Sequence, residues 1–179
     1  MAGAWRSEVA MGGDGVVTAN GLAEVYERHA PDAVRLAYLM TGDRSLAEDI
    51  AQEAFARMVS RLAFLRSPDA TWPYLRRSVV NLSKNHYRHR AVERTYLASA
   101  GAVALTSHVD PDVVARESMR RALLRLPPRQ RAALVLRFYE DLPEDQIADL
   151  LHCRPGTARS LVTRGVEALR HSTEVMEDA

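Results

Sequence analysis

The chain is poor in several things that would assign it a chemistry. Cys153 is the only cysteine among 179 residues. A single thiol excludes an internal disulfide and fits a reducing compartment. Lys84 is the only lysine, so every other fixed cation is an arginine. That bias reads first as GC-rich coding, with phosphate recognition by the guanidinium fork an added benefit. No stretch approaches the ~20 apolar residues of a membrane span. The opening Met1-Ala2-Gly3-Ala4-Trp5-Arg6 has no continuous apolar core, so no signal peptide is read. The expectation is a soluble, cytoplasmic protein with no membrane partner.

Catalytic and cofactor signatures are missing as well. There is no Walker-type phosphate loop and no Gly-x-Ser-x-Gly elbow. Six histidines are scattered. His86 and His89 lie three apart and His152 adjoins Cys153, but no second cysteine or His-x-x-x-His spacing completes a zinc site. No metal, cofactor, catalytic residue or small-molecule substrate is therefore expected, and the chain reads as a non-enzyme.

What is present is helical. Hydrophobic residues make up 47% and charged residues 26%, ordinary for a soluble globular chain. The formal net charge of +1 gives no whole-molecule sign of nucleic-acid binding, but the charges are segregated. Arg76, Arg77, Lys84, Arg88 and Arg90 cluster in one segment; Glu48, Asp49 and Glu53 cluster in another.

No strand pattern competes and no internal repeat is found. The reading is all-α: two small helical domains, 19–90 and 113–171, joined by a flexible linker, 91–112. A glycine-bearing lead-in, 1–18, precedes them and a short tail, 172–179, follows.

Within the first domain, Leu22, Val25, Tyr26 and His29 share a face, and Pro31 is read as starting a further helix with Val34, Leu36, Tyr38 and Leu39. Thr41-Gly42-Asp43 is a stop, with Ser45 as the next N-cap and Glu48 as its capping-box partner. From about 45 to 65, Ala47, Ile50, Ala51, Ala54, Phe55, Met58 and Leu62 fall on one arc at ~100° per residue. Asp49, Gln52, Glu53 and Ser60 fall opposite. A helix then begins near Trp72-Pro73, with Leu75, Val79, Leu82 and His86 inside and Arg77, Asn81, Lys84 and Arg88 outside. The second domain reads as helices at about 113–125, 128–139, 143–151 and 155–171.

Three constellations carry the functional argument. The helix 72–90 combines cations with Trp72, Tyr74 and Tyr87. That composition suits phosphate attraction and base stacking, or a solvated basic face with Trp72 in the core. The acidic face of the preceding helix either complements the helix dipole or meets a polar partner protein.

The last third places Pro143–Leu151 and Pro155–Leu161 around the break His152-Cys153-Arg154, the pattern of a helix-turn-helix. Ile147, Ala148 and Leu151 would pack on Ala158, Leu161 and Val162. Gly156 and Thr157 would present backbone amides to a phosphate. Arg154, Thr157, Arg159, Ser160, Thr163 and Arg164 would reach base edges or backbone. A plain αα-hairpin in a bundle is the competing reading.

Together these segments resemble bacterial RNA polymerase sigma factors of the extracytoplasmic-function group in the sigma-70 family. Residues 20–90 resemble region 2 and 113–171 region 4. The most specific piece is Asp49-Ile50-Ala51-Gln52-Glu53-Ala54-Phe55, similar to the Asp-x-x-Gln-Glu-x-Phe motif. The resemblance implies that Asp49, Gln52, Glu53 and Phe55 dock on the β′ clamp helices of core RNA polymerase, and that the β flap is a second contact.

It implies a −10 DNA surface of Trp72, Tyr74, Arg76, Arg77, Asn81, Lys84, Asn85 and Arg88, with the Ser67–Thr71 loop capturing a flipped base. Asn85 stands where many members carry Asp. Arg125-Leu126-Pro127-Pro128-Arg129-Gln130-Arg131 is similar to the start of region 4. The −35 contacts implied are Arg154, Gly156, Thr157, Arg159, Ser160, Thr163 and Arg164.

Promoter DNA is the implied ligand and an anti-sigma factor a further partner. The arginine-rich composition resembles actinobacterial members. His152 stands where the family's turn carries Gly, predicting a turn that is strained or differently shaped. An autonomous helix-turn-helix regulator is the alternative reading. A DNA enzyme such as a recombinase would need a nucleophile that the sequence does not offer.

Overall fold

The structure, a computed structural model, describes residues 19–61, 70–94 and 111–177, with side chains described over 22–61, 70–87 and 117–171. The expected lead-in, most of the linker, the Ser67–Asp69 part of the loop, Leu62 and the side chains of Arg88 and Arg90 lie outside those bounds. Every described element is helical: α1 Ala19–Thr41, α2 Arg44–Val59, α3 Thr71–Arg94, α4 Pro111–Arg125, α5 Pro128–Leu134, a π-helical turn Val135–Tyr139, α6 Glu144–Leu151 and α7 Pro155–Glu177. No described helix is long and apolar enough to cross a membrane.

The chain divides into two compact units: residues 1–38 with 43–79, and residues 39–42 with 80–179. The division falls inside α3.

In the first unit α2 is the organising element. Ala47, Ile50, Ala51, Ala54, Phe55 and Met58 are all buried, as their common arc predicts. Ala33, Leu36 and Ala37 of α1 and Leu75 and Val79 of α3 complete the described core. Each large apolar side chain removed from water this way contributes about 1.5–3 kcal/mol. Tyr26 and Phe55 pack ring on ring at 4.9 Å.

Two local expectations are corrected here. Pro31 does not begin a new helix; it lies inside a continuous α1. An internal proline removes one helical hydrogen bond and costs about 3 kcal/mol. Pro31 and Glu27, whose carbonyl loses its partner, are both solvent-exposed. Water can satisfy the orphan while Ala33, Leu36, Ala37 and Met40 stay buried on one stripe beyond it.

Ser45 is likewise not the N-cap of α2. Asp43 holds that place in an extended conformation, its carboxylate accepting from the Leu46 amide at 3.1 Å. Glu48, assigned to a capping box, instead pairs with Arg44 at 3.0 Å. An aspartate two residues earlier reaches the same orphan amides with a full charge, so it displaces serine.

In the second unit α5 and α6 both pack on α7. The fit with α5 is tight: a Cβ on Gly165 would meet the Leu134 side chain at 2.8 Å. The helix expected at 128–139 changes character at Val135. A π turn inserts one residue, closed by the Glu140 amide on the Val135 carbonyl at 3.2 Å. Phe138, on that turn, is 68% exposed.

Candidate polymerase and promoter interfaces

The first site is the outer face of α2. Asp49, Gln52 and Glu53 are all exposed, at positions set by the same helical period that buries Ile50, Ala51 and Ala54. Glu53 is held by Arg57 at 2.8 Å, one turn on. Phe55 differs from the other three: it is 5% exposed and belongs to the core.

Gln52 and Phe55 line a hollow of about 190 Å³ with Tyr26, Ala30, Val34, Glu48 and Ala51. A larger hollow of about 500 Å³ shares Ala30, Val34 and Glu48 with it. Tyr26 and Val59 keep 48% and 44% of their surface in water, so polar and apolar groups alternate along this face. The Tyr26 ring, half out in water, packs against Phe55.

The second site is α3. Trp72 is half-buried, its ring stacked on His29 at 5.7 Å, and burial beside Arg28 holds the His29 imidazole below its ordinary pKa. Tyr74 is half-buried and donates to the Arg57 carbonyl at 3.3 Å. Arg76 and Asn81 are half-buried, while Arg77 and Asn85 are exposed.

Lys84, within the second unit, is half-buried and donates to the Leu150 carbonyl at 3.2 Å. Its pKa is lowered, first by burial and then by the charge of Arg129. Tyr87 donates to the Met40 carbonyl at 2.5 Å, and the buried Arg131 guanidinium lies 4.8 Å over its ring. The aromatic groups named for base stacking thus all have partners inside the fold.

The third site is the helix-turn-helix itself. Ile147, Ala148 and Leu151 are buried and Ala158 is fully so, with Leu161 and Val162 half-buried at the same seam. The turn at His152 takes φ 50° and ψ 59°, the left-handed region. The Cys153 amide donates to the Ala148 carbonyl at 2.9 Å and the His152 amide to Asp149 at 3.4 Å. Those two bonds are the Schellman pattern that glycine normally closes. The turn is therefore strained, not reshaped.

Arg154, in the turn just before α7, and Gly156, Thr157, Arg159, Thr163 and Arg164 of its N-terminal half are exposed. Ser160 is half-buried, its hydroxyl donating to the Gly156 carbonyl at 2.9 Å. A Cβ at Gly156 would meet nothing within 4 Å, so packing does not require glycine there.

Arg159 is the best-fixed cation of the set. Its Nε lies 3.0 Å from both carboxylate oxygens of Glu144, and a terminal nitrogen is 2.9 Å from Oε2. Glu144 was not singled out from the sequence. It opens α6, fifteen positions from Arg159, and no helical spacing rule joins residues on different helices.

Such an exposed basic face on a helix-turn-helix, in a chain whose other helical unit carries an exposed carboxylate–amide patch, is the arrangement of a DNA-binding protein. Residues 25–92 match the family described as sigma-70 region 2, and residues 116–169 match sigma-70, region 4. The chain therefore belongs to the sigma-70 family of RNA polymerase sigma factors, in its extracytoplasmic-function group.

Relatives agree. It is 32% identical over 167 residues to the ECF sigma factor SigE of Mycolicibacterium smegmatis, covering 87% of this chain and 65% of that one. It is 30% identical over 166 residues to SigW of Bacillus subtilis, covering 84% and 88%. The RNA polymerase sigma-H factor of Pseudomonas aeruginosa is 32% identical over 143 residues, covering 71% and 72%. The fold is also that of the sigma factor RpoE of Bartonella quintana, solved with the anti-sigma factor NepR, at a TM-score of 0.66 and 19% identity over 86% of this chain and 96% of that one.

Proposed function

We propose that this sigma factor recruits core RNA polymerase through Asp49, Gln52 and Glu53, sets promoter choice by placing α7 in the −35 major groove, and supports strand opening at −10 through α3. The observation that carries the reading is the exposed carboxylate–amide face of α2. Asp49, Gln52 and Glu53 point outward while six neighbours on the same helix are buried. Solvent exposure would accept any polar residues there, whereas this carboxylate–amide–carboxylate trio offers a protein partner complementary polar groups. Phe55 contributes from below by holding the surface in shape and lining the hollow beside Gln52.

On and just before α7, Arg154, Gly156, Thr157, Arg159, Ser160, Thr163 and Arg164 divide between phosphate and base contacts. On α3, Arg77 and Asn85 are the solvent-facing members of the −10 set; Trp72, Tyr74, Arg76, Asn81, Lys84 and Arg88 join them once promoter DNA is engaged. The chemistry of RNA synthesis belongs to the polymerase, whose β flap is the further contact we assign to the second unit. An anti-sigma factor covering the same polar and basic faces would silence the chain; the fold neighbour RpoE of Bartonella quintana was solved with one, NepR. The cytoplasm is where such a factor works.

Run-off transcription with sigma-free core polymerase on genomic fragments tests the whole reading. Discrete start sites that depend on this chain are expected. Asp49→Ala, Gln52→Ala and Glu53→Ala combined should abolish retention of core enzyme in a pull-down. Undiminished retention would reassign the docking surface. Tight operator binding without polymerase would instead favour an autonomous regulator.

A further inference from the structure

We infer that Glu144 is a positioning residue for promoter recognition: its carboxylate fixes the guanidinium of Arg159 so that one base pair of the −35 segment is read by a preset donor edge. The inference rests on the proposal that α7 enters the −35 groove.

The geometry has three parts. Arg159 sits at the start of the second turn of α7, on its exposed face, with the fully buried Ala158 beside it anchoring the helix on α6. Glu144 begins α6, the helix that backs α7 across the turn. Between them run contacts of 3.0 Å to each carboxylate oxygen from Nε and 2.9 Å from a terminal nitrogen. A forked contact of this kind fixes the plane of the guanidinium as well as its position.

A guanidinium carries five N–H donors, so those not taken by the carboxylate remain for the paired acceptors of a guanine edge. An untethered arginine is among the most rotamer-rich side chains, and placing it on one base costs entropy at the moment of binding. The pair at Glu144 meets part of that cost on folding.

Charge gives a second, independent reason to look for a role. Glu144 puts a carboxylate on the face of the unit where Arg154, Arg159 and Arg164 are exposed, and DNA is a polyanion. Such a group weakens attraction to any sequence. Its presence there is understandable if it returns discrimination between sequences. The hydrogen bonds from Arg159 hold its carboxyl below the usual carboxylate range, so it stays ionised near neutral pH. The side chains are exposed and the pair adds little to folding, which leaves orientation as its effect.

The experiment uses the full chain assembled with core polymerase and a pool of promoter duplexes randomised through the −35 segment. Retained duplexes are sequenced to give a preference for each base at each position. Arg159→Ala should flatten one position by about tenfold or more, the discrimination of a lost bidentate contact. Glu144→Gln should flatten that same position by about three- to tenfold, as rotamer freedom returns to the arginine, and leave the other positions as they are. Binding to a non-promoter duplex should tighten in Glu144→Gln, since a negative charge is gone. Glu144→Asp, which keeps the charge on a shorter stem, should restore part of the preference.

If Glu144→Gln tightens all sequences alike with every preference intact, the carboxylate is only a charge and the inference is overturned. If Arg159→Ala flattens its position while Glu144→Gln does not, positioning fails and −35 reading by α7 stands. If Arg159→Ala leaves every preference unchanged, Arg159 reads no base and the inference falls with that assignment.

Discussion

His152→Gly should stabilise the second unit. His152 holds φ 50° and ψ 59°, where a side-chain Cβ crowds the following carbonyl at about 1–2 kcal/mol per residue. Histidine tolerates this region better than most residues, so the lower end applies. Glycine removes that strain but adds freedom to the unfolded chain, at about 0.4–1 kcal/mol. The net is a gain of up to about 0.6 kcal/mol, with the Schellman bonds from Cys153 and His152 kept because they are backbone to backbone. For a unit of this size that corresponds to a rise of up to roughly 4 °C in midpoint.

Native-state hydrogen exchange of amides in α6 and α7 isolates the effect from unfolding of the other unit. The order expected is Gly above Asn, Asn above His, and Val well below all of them, because a β-branched residue is the worst occupant of the left-handed region. Promoter preference should not change. A Gly variant less protected than the parent, or a Val variant equal to it, would show that the turn is not strained and that its resemblance to a glycine-closed cap is superficial.

Two glycines on α7 should behave oppositely. Gly165→Ala drives a Cβ to 2.8 Å from Leu134, which is itself 3% exposed and cannot retreat, so a loss of about 1–3 kcal/mol is expected in denaturant unfolding. Gly156→Ala faces open space and should raise helix stability by up to about 1 kcal/mol. If it still weakens promoter retention, the cause is lost approach to the DNA backbone.

Met58→Ala, at 0% exposure in the first unit, should cost about 2–5 kcal/mol. It should weaken core-polymerase retention only as far as it unfolds that unit. Acid should release Arg159: Glu144 has a lowered pKa, so its pairing is complete above the unfolded carboxylate value and is lost as pH falls through the folded one. Side-chain NMR of the Arg159 Nε–H should report that release, and Glu144→Gln should abolish the transition.

What the sequence made legible is what a local period can encode. The arc from Ala47 to Met58 is buried as drawn, and the helix-turn-helix has its first helix at Glu144–Leu151 and its second starting at Pro155, each within a residue of expectation, though α7 runs on to Glu177, past the expected 171. Both depend only on which residues share a face. The misses arise where a nearer or remoter group competes. Asp43 took the cap from Ser45 because a charged oxygen lay two residues upstream. Pro31 failed to break α1 because water can satisfy the carbonyl of exposed Glu27 while Ala33, Leu36, Ala37 and Met40 stay buried beyond it, a comparison no local rule makes. The π turn at Val135–Tyr139 interrupts a run that reads as plain α-helix, and Phe138 on it is exposed.

The turn of the helix-turn-helix shows why a departure from a family pattern need not alter a structure. Glycine is preferred there for its low cost, while the path of the chain is set by amides and carbonyls that every residue but proline supplies. Histidine at 152 therefore changes an energy and leaves α7 where the buried contacts of Ile147, Ala148 and Ala158 put it. The same separation governs the reading face. Ala158 fixes the helix, whereas Arg159 is fixed by Glu144 from another helix, through a contact invisible to any spacing along the chain. Position of the element was thus legible from residue pattern, and orientation of its specificity-bearing side chain was not, because the first is a property of a face and the second of a pair.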